Sequence, residues 1–95
     1  MNTENPDEFY DRLKEQLEAN NSWPADYLYK FIVPTNTDKA VEIQNIFDNT
    51  GAVIVSKKSK NGKYTSISIT VNMKNPAAVI DKYKEVGEIK GVISL

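Results

Sequence analysis

Residues 63–73 alternate without a fault, and that alternation limits what the chain can fold into more than any other feature. Ile67, Ile69, Val71 and Met73 share one side, while Tyr64, Ser66, Ser68, Thr70 and Asn72 share the other. A period of two sustained this long marks a strand with one buried and one polar face. Asn61-Gly62 comes just before it, a pair that accepts positive φ in a tight turn, and residues 52–59 are again strand-like. The rest of the chain must cover the isoleucine face and leave the serine face open.

Ninety-five residues make one domain, near the lower end of what buries a core without staples. The chain has no cysteine and no histidine. It therefore has no disulfide framework or thiolate metal site, and lacks both the commonest general base and the near-neutral pH switch. No enzyme, catalytic residue, metal or cofactor is expected. The longest apolar runs, such as Ala52-Val53-Ile54-Val55, are far too short to span a membrane. The acidic start does not resemble a signal peptide. These features read as a soluble cytoplasmic protein with no membrane partner. Charge is unevenly spread: residues 1–26 hold seven acids and two bases, residues 27–95 six acids and ten bases.

In chain order, Asn5-Pro6 or Thr3 can open a helix whose Asp7, Glu8 and Asp11 suit its N-terminal dipole. Phe9, Leu13 and Leu17 form a narrow apolar stripe, too thin for a core helix. Residues 1–22 thus read as an acidic arm, and 23–95 as the domain proper, beginning at Trp23-Pro24. Residues 27–33 are an aromatic and β-branched strand with Tyr27, Tyr29, Phe31 and Val33 inward and Lys30 outward. Residues 34–38 close that strand, with Thr35, Asn36 and Thr37 as candidate caps of a helix buried through Ala40, Ile43, Ile46 and Phe47. Asn75-Pro76 opens another helix, packed through Val79, Ile80, Tyr83 and Val86 and ended by Gly87. Residues 89–95 form the last strand. The order predicts an α+β fold: a ferredoxin-like βαββαβ sandwich, its four-stranded antiparallel sheet backed by two helices on one face, with an extra N-terminal helix.

A two-residue turn at Asn61-Gly62 sets Val53 opposite Thr70 and Val55 opposite Ser68. Both valines then join the open face with Leu28, Lys30, Ile32, Tyr64, Ser66, Ser68 and Thr70. Such a face is too apolar to stay bare. Its expected cover is a second copy of the sheet or the chain's own N-terminal helix, docked at or near this face with its acids toward the hairpin lysines.

Trp23-Pro24, Tyr29-Lys30-Phe31 and above all residues 59–69, SKNGKYTSISI, resemble the YbeD-like family of small bacterial proteins, a domain of unknown function. The resemblance runs from about Trp23 to Leu95. It implies a ferredoxin-like fold similar to the ACT-type regulatory domains, which bind small ligands and pair their sheets, and it brings no catalytic motif.

Three groups could carry chemistry. Lys57, Lys58, Lys60 and Lys63 crowd the hairpin end, either to meet an anion or acidic protein or to guard a sheet edge against aggregation. Tyr64 beside Lys30 is a fragment of the aromatic platform of RNA-recognition domains, but Ser66, Ser68 and Lys30 hold the places of its other rings. Thr35, Asn36 and Thr37 occupy the loop where ACT-type domains receive ligands and where amides at a helix N-terminus suit an anion, but plain helix capping, which any such loop needs, is the favoured explanation. The surface expected to act comprises Lys30, Ile32, Val53, Val55, Tyr64, Ser66 and Ser68 with the four lysines. The function expected is a non-enzymatic regulatory or adaptor domain working through a protein partner, a homodimer or a small ligand. A nucleic-acid-binding module is the alternative.

Overall fold

The chain's longest pairing joins β1 (Ala25–Pro34) to β3 (Tyr64–Met73) in an antiparallel ladder from Ala25↔Met73 to Pro34↔Tyr64. A computed structural model describes residues 6–95; the expected helix starts at Thr3 and Asn5 lie outside them. Around this ladder the chain adds α1 (Pro6–Asn20), α2 (Lys39–Ile46), β2 (Val53–Lys58), α3 (Pro76–Gly87) and β4 (Ile93–Ser94). The sheet order is β2-β3-β1-β4, all antiparallel. This is the expected ferredoxin-like arrangement with an added N-terminal helix, and β1 and β3 lie at its centre.

The alternation in β3 does what its pattern dictates. Ile67 and Ile69 are fully buried and Val71 nearly so, facing Tyr29, Phe31 and Val33 from β1 and Ile43, Val79 and Val86 from the helices. Tyr83 is only partly buried at the margin of this core. The second helix of the sandwich begins as expected: Asn75 is its N-cap, its side-chain oxygen accepting from the Ala78 amide at 2.8 Å, with Pro76 in the first turn.

The hairpin keeps its expected register, Val53↔Thr70 and Val55↔Ser68, with a different turn. Gly62 alone takes positive φ (76°); Asn61 works through its side chain, which accepts from the Lys63 amide and the Ser59 hydroxyl. The Gly62 amide bonds the Ser59 carbonyl, and the Ser59 amide bonds the Tyr64 carbonyl. A wider loop thus closes the same ladder, because both turns leave Ser59 opposite Tyr64.

Three expectations need correction. The last strand is two residues long, not seven, because residues 88–92 form a turn around Gly91 at φ 84°. The N-cap position of α2 falls on Asp38, not Thr35, Asn36 or Thr37, but the Asp38 side chain makes no cap hydrogen bond, and the Thr37 hydroxyl accepts from the Lys39 amide at 3.4 Å. Most consequentially, α1 docks on the helical side of the sheet against α3, not on the open face. Leu17 is buried in the core, and the Trp23 indole nitrogen donates to the Leu17 carbonyl at 3.2 Å. The Lys84 ammonium lies 5.7 Å from the centre of the Tyr10 ring. The connection from α1 is only residues 21–24, and it enters β1 at the sheet end remote from the hairpin lysines. From there the stripe reaches a groove beside α3, where burial of Leu17 is deeper than a flat sheet surface offers.

Gly62→Val is expected to destabilise the fold by about 1–2 kcal/mol, since nothing lies near the added side chain and the cost is that of a β-branched residue at positive φ. An unchanged denaturation midpoint would contradict it. Ile69→Ala should cost about 2–5 kcal/mol, while Ser68→Ala on the opposite face should leave the midpoint nearly unmoved; the reverse order would invert the two faces.

Candidate functional site

Cross-strand pairing assembles the open face row by row. Val53, Thr70 and Leu28 form one row, Val55, Ser68 and Lys30 the next, and Lys57, Ser66, Ile32 and Ile93 a third. Leu95 joins the middle row, its amide donating to the Lys30 carbonyl at 2.9 Å. Among the described residues eight large hydrophobics are exposed, and six of them sit on this face: Leu28, Val53, Val55, Tyr64, Ile93 and Leu95, each 48–67% exposed. The hydroxyls of Ser66, Ser68 and Thr70 run between these apolar flanks.

At the hairpin end the face deepens into a cleft of about 520 Å³. Ile32 and Tyr64 supply its apolar surface, Ser59 and Ser66 its hydroxyls, and Lys57, Lys58 and Lys60 its charge. Lys30 lies further along the same face and Lys63 outside the cleft. The opposite end carries Asp26, whose carboxylate accepts from the Asn72 side-chain amide at 3.2 Å. One end of the face is therefore cationic, and its acid is held at the other.

The structure thus brings together Lys30, Ile32, Val53, Val55, Lys57, Tyr64, Ser66 and Ser68, as the register required. Ile93 and Leu95 belong with them and were not legible: Val92, Ile93 and Leu95 are all apolar, so alternation gives no side. Only the pairing of Ser94 with Phe31 turns Ile93 and Leu95 outward. Thr35, Asn36 and Thr37 stand apart, and the loop's hydroxyls are engaged. Thr35 bonds the Thr65 hydroxyl at 2.9 Å, and Thr37 donates to the Pro34 carbonyl at 2.9 Å. Among the described residues no group of acidic side chains is placed to hold a metal ion, and no helix is long and apolar enough to cross a membrane.

The sequence profile of DUF493, a protein family of unknown function, matches residues 18–95. The chain belongs to this family. Neither the curated proteins nor the solved structures contain a match. The DUF493 profile begins within α1, at the turn that carries Leu17 into the core, and takes in the entire open face.

Behind the face, a tyrosine cluster joins the sheet of this DUF493 chain to α3. The Tyr29 hydroxyl donates to the Val79 carbonyl at 2.9 Å, the Tyr27 and Tyr83 hydroxyls meet at 2.8 Å, and the three rings contact edge to face. Burial pushes the ionisation of Tyr29 and Tyr83 well above the ordinary value of 10.0; neighbouring acids and Tyr27 add to it for Tyr29, and the Tyr27 hydrogen bond for Tyr83. Unfolding releases both hydroxyls to ionise near the ordinary value, so the unfolded state loses protons first. The stabilisation is whole below pH 10 and declines as pH rises above it. In an ultraviolet titration Tyr29 and Tyr83 should stay un-ionised at the ordinary value of 10.0 and ionise only with unfolding, followed by circular dichroism. Ionisation of either in the folded protein near that value would contradict the cluster.

Proposed function

We propose that this chain is a non-enzymatic regulatory or adaptor module whose open sheet face docks an acidic, amphipathic segment of another protein. The observation that carries this reading is the concentration of six exposed large hydrophobics on one sheet face that ends in a lysine-lined cleft. Contiguous apolar surface of this kind marks interaction sites, and Lys57, Lys58, Lys60 and Lys30 select a partner that carries carboxylates. Face-to-face pairing with a second copy would bring like-charged lysine-rich surfaces together, with one acid on each face to offset them. Absence of histidine and cysteine supports a binding rather than a catalytic role. The YbeD-like resemblance, through residues 59–69, supports a small regulatory domain.

Tyr64 and the lysines also favour a second reading, single-stranded nucleic acid bound across the face. A stacking surface with one ring and a hydroxyl-lined centre argues for protein.

The test titrates the full chain with a helical peptide of leucines spaced i, i+3, i+4 and flanked by glutamates, alongside an oligonucleotide. Binding of the peptide should fall about tenfold or more in Val55→Asp and stay unchanged in Val41→Asp, which alters an exposed valine on α2. Preferred binding of the oligonucleotide, weakening steeply with salt, would establish the second reading instead. Dimerisation by light scattering, abolished in Val55→Asp, would assign the face to a second copy.

A further inference from the structure

Charge in the cleft at the hairpin end is left uncompensated. Lys57, Lys58 and Lys60 line it, no carboxylate does, and among the described residues none of the three pairs with an acid. Like charges on one rim repel each other, and a ligand that concentrates negative charge in a small volume relieves that repulsion best. A phosphate group brings a charge of about −1.5 to −2 at neutral pH, more than a single carboxylate carries. Lysine meets phosphate as a point charge, without the planar fork by which arginine matches a carboxylate.

The rest of the cleft is apolar and set firmly in place. Tyr64 is 48% exposed, and Ile32 is half-buried on the same face. The Tyr64 amide donates to the Ser59 hydroxyl at 3.1 Å, and its carbonyl accepts from the Ser59 amide at 2.7 Å. On the other side the Thr35 amide holds the Lys63 carbonyl at 2.9 Å. A ring carried on backbone so fixed is a platform organised before any ligand arrives. The Ser66 hydroxyl donates to the Lys57 carbonyl at 3.3 Å, which leaves its oxygen able to accept a further hydrogen bond. A cleft of about 520 Å³ has the size of small-molecule sites. Its one exposed ring is too little for a strand of stacked bases and enough for a single base.

We propose that the cleft binds a nucleoside diphosphate. The base stacks on the Tyr64 ring beside Ile32, a ribose hydroxyl donates to Ser66, and the phosphates lie among Lys57, Lys58 and Lys60. This site shares the lysines with the docking of an acidic segment but not the apolar surface. The segment draws on Leu28, Val53 and Val55, the nucleotide on Ile32 and Tyr64.

Isothermal titration of the full chain with adenosine diphosphate tests this. Binding should saturate below about 1 mM nucleotide. Adenosine and pyrophosphate, each carrying one part of the ligand, should bind about tenfold more weakly or worse. Tyr64→Leu, which keeps apolar bulk but removes the ring, should weaken binding about tenfold, and Tyr64→Phe should restore it. Lys57→Gln combined with Lys60→Gln should also cost about tenfold. Lys74→Gln, beyond the far end of β3, should change nothing. Failure to saturate at millimolar nucleotide would overturn the proposal, as would indifference to Tyr64→Leu. Pyrophosphate binding as tightly as the nucleotide would reduce the cleft to an unselective anion patch and equally overturn it. So would tighter binding of a 5′-phosphorylated oligoadenylate, which would give the cleft to a nucleic-acid end. The amphipathic peptide takes no part in this titration, so either reading can fail alone.

Discussion

The β1–β3 ladder is the constraint on which the other features rest. Its ten pairs place Tyr29 against Ile69 and Phe31 against Ile67 on the helical side, and Lys30 against Ser68 and Ile32 against Ser66 on the other. A slip of one residue would exchange the two sets, putting Lys30 into the core and Phe31 into water. The ladder continues into the loops, through the Thr35 amide on the Lys63 carbonyl and the paired hydroxyls of Thr35 and Thr65. The loop before α2 and the hairpin end of β3 are therefore held together. This fixes the lysine-bearing tip relative to the open face.

Physical chemistry divides that face unevenly. β3 contributes hydroxyls along its centre, and the flanking strands contribute Leu28, Ile32, Val53, Val55 and Ile93. Water can solvate the central stripe, which makes the apolar flanks tolerable in the free protein. A partner of the kind proposed would have to supply both apolar contact at the sides and hydrogen bonds down the middle, since covered hydroxyls without partners oppose binding. Such a surface discriminates between partners more than a uniformly greasy one.

Much of this was legible in the sequence. The alternation of residues 63–73 gave the faces, and the hairpin register survived a mistaken turn because only the separation between Ser59 and Tyr64 matters to the pairing. What was not legible was where amphipathic elements come to rest. Phe9, Leu13 and Leu17 declare that one side of α1 is apolar, but not which of two apolar surfaces receives it. That choice depends on the short connection through Trp23 and on the groove beside α3, both properties of the assembled layers. Residues 89–95 failed for a related reason: their composition suits a strand, and only the turn at Gly91 shows how little of it is paired. Without the pairing of β4 to β1, the outward side of Ile93 and Leu95 could not be read.

The position of α1 has an electrical consequence. Its acidic residues lie on the helical side of the sheet, while Lys30, Lys57, Lys58 and Lys60 line the opposite surface. Although the net charge is only −1, opposite signs are held apart by the thickness of the sheet and its core. The molecule is thus a permanent electric dipole, and an approaching anionic partner exerts a torque on it before contact. The torque turns the lysine cleft toward such an anion and the helical layer away from it. Encounters in the wrong orientation are discouraged by a field that the overall charge conceals.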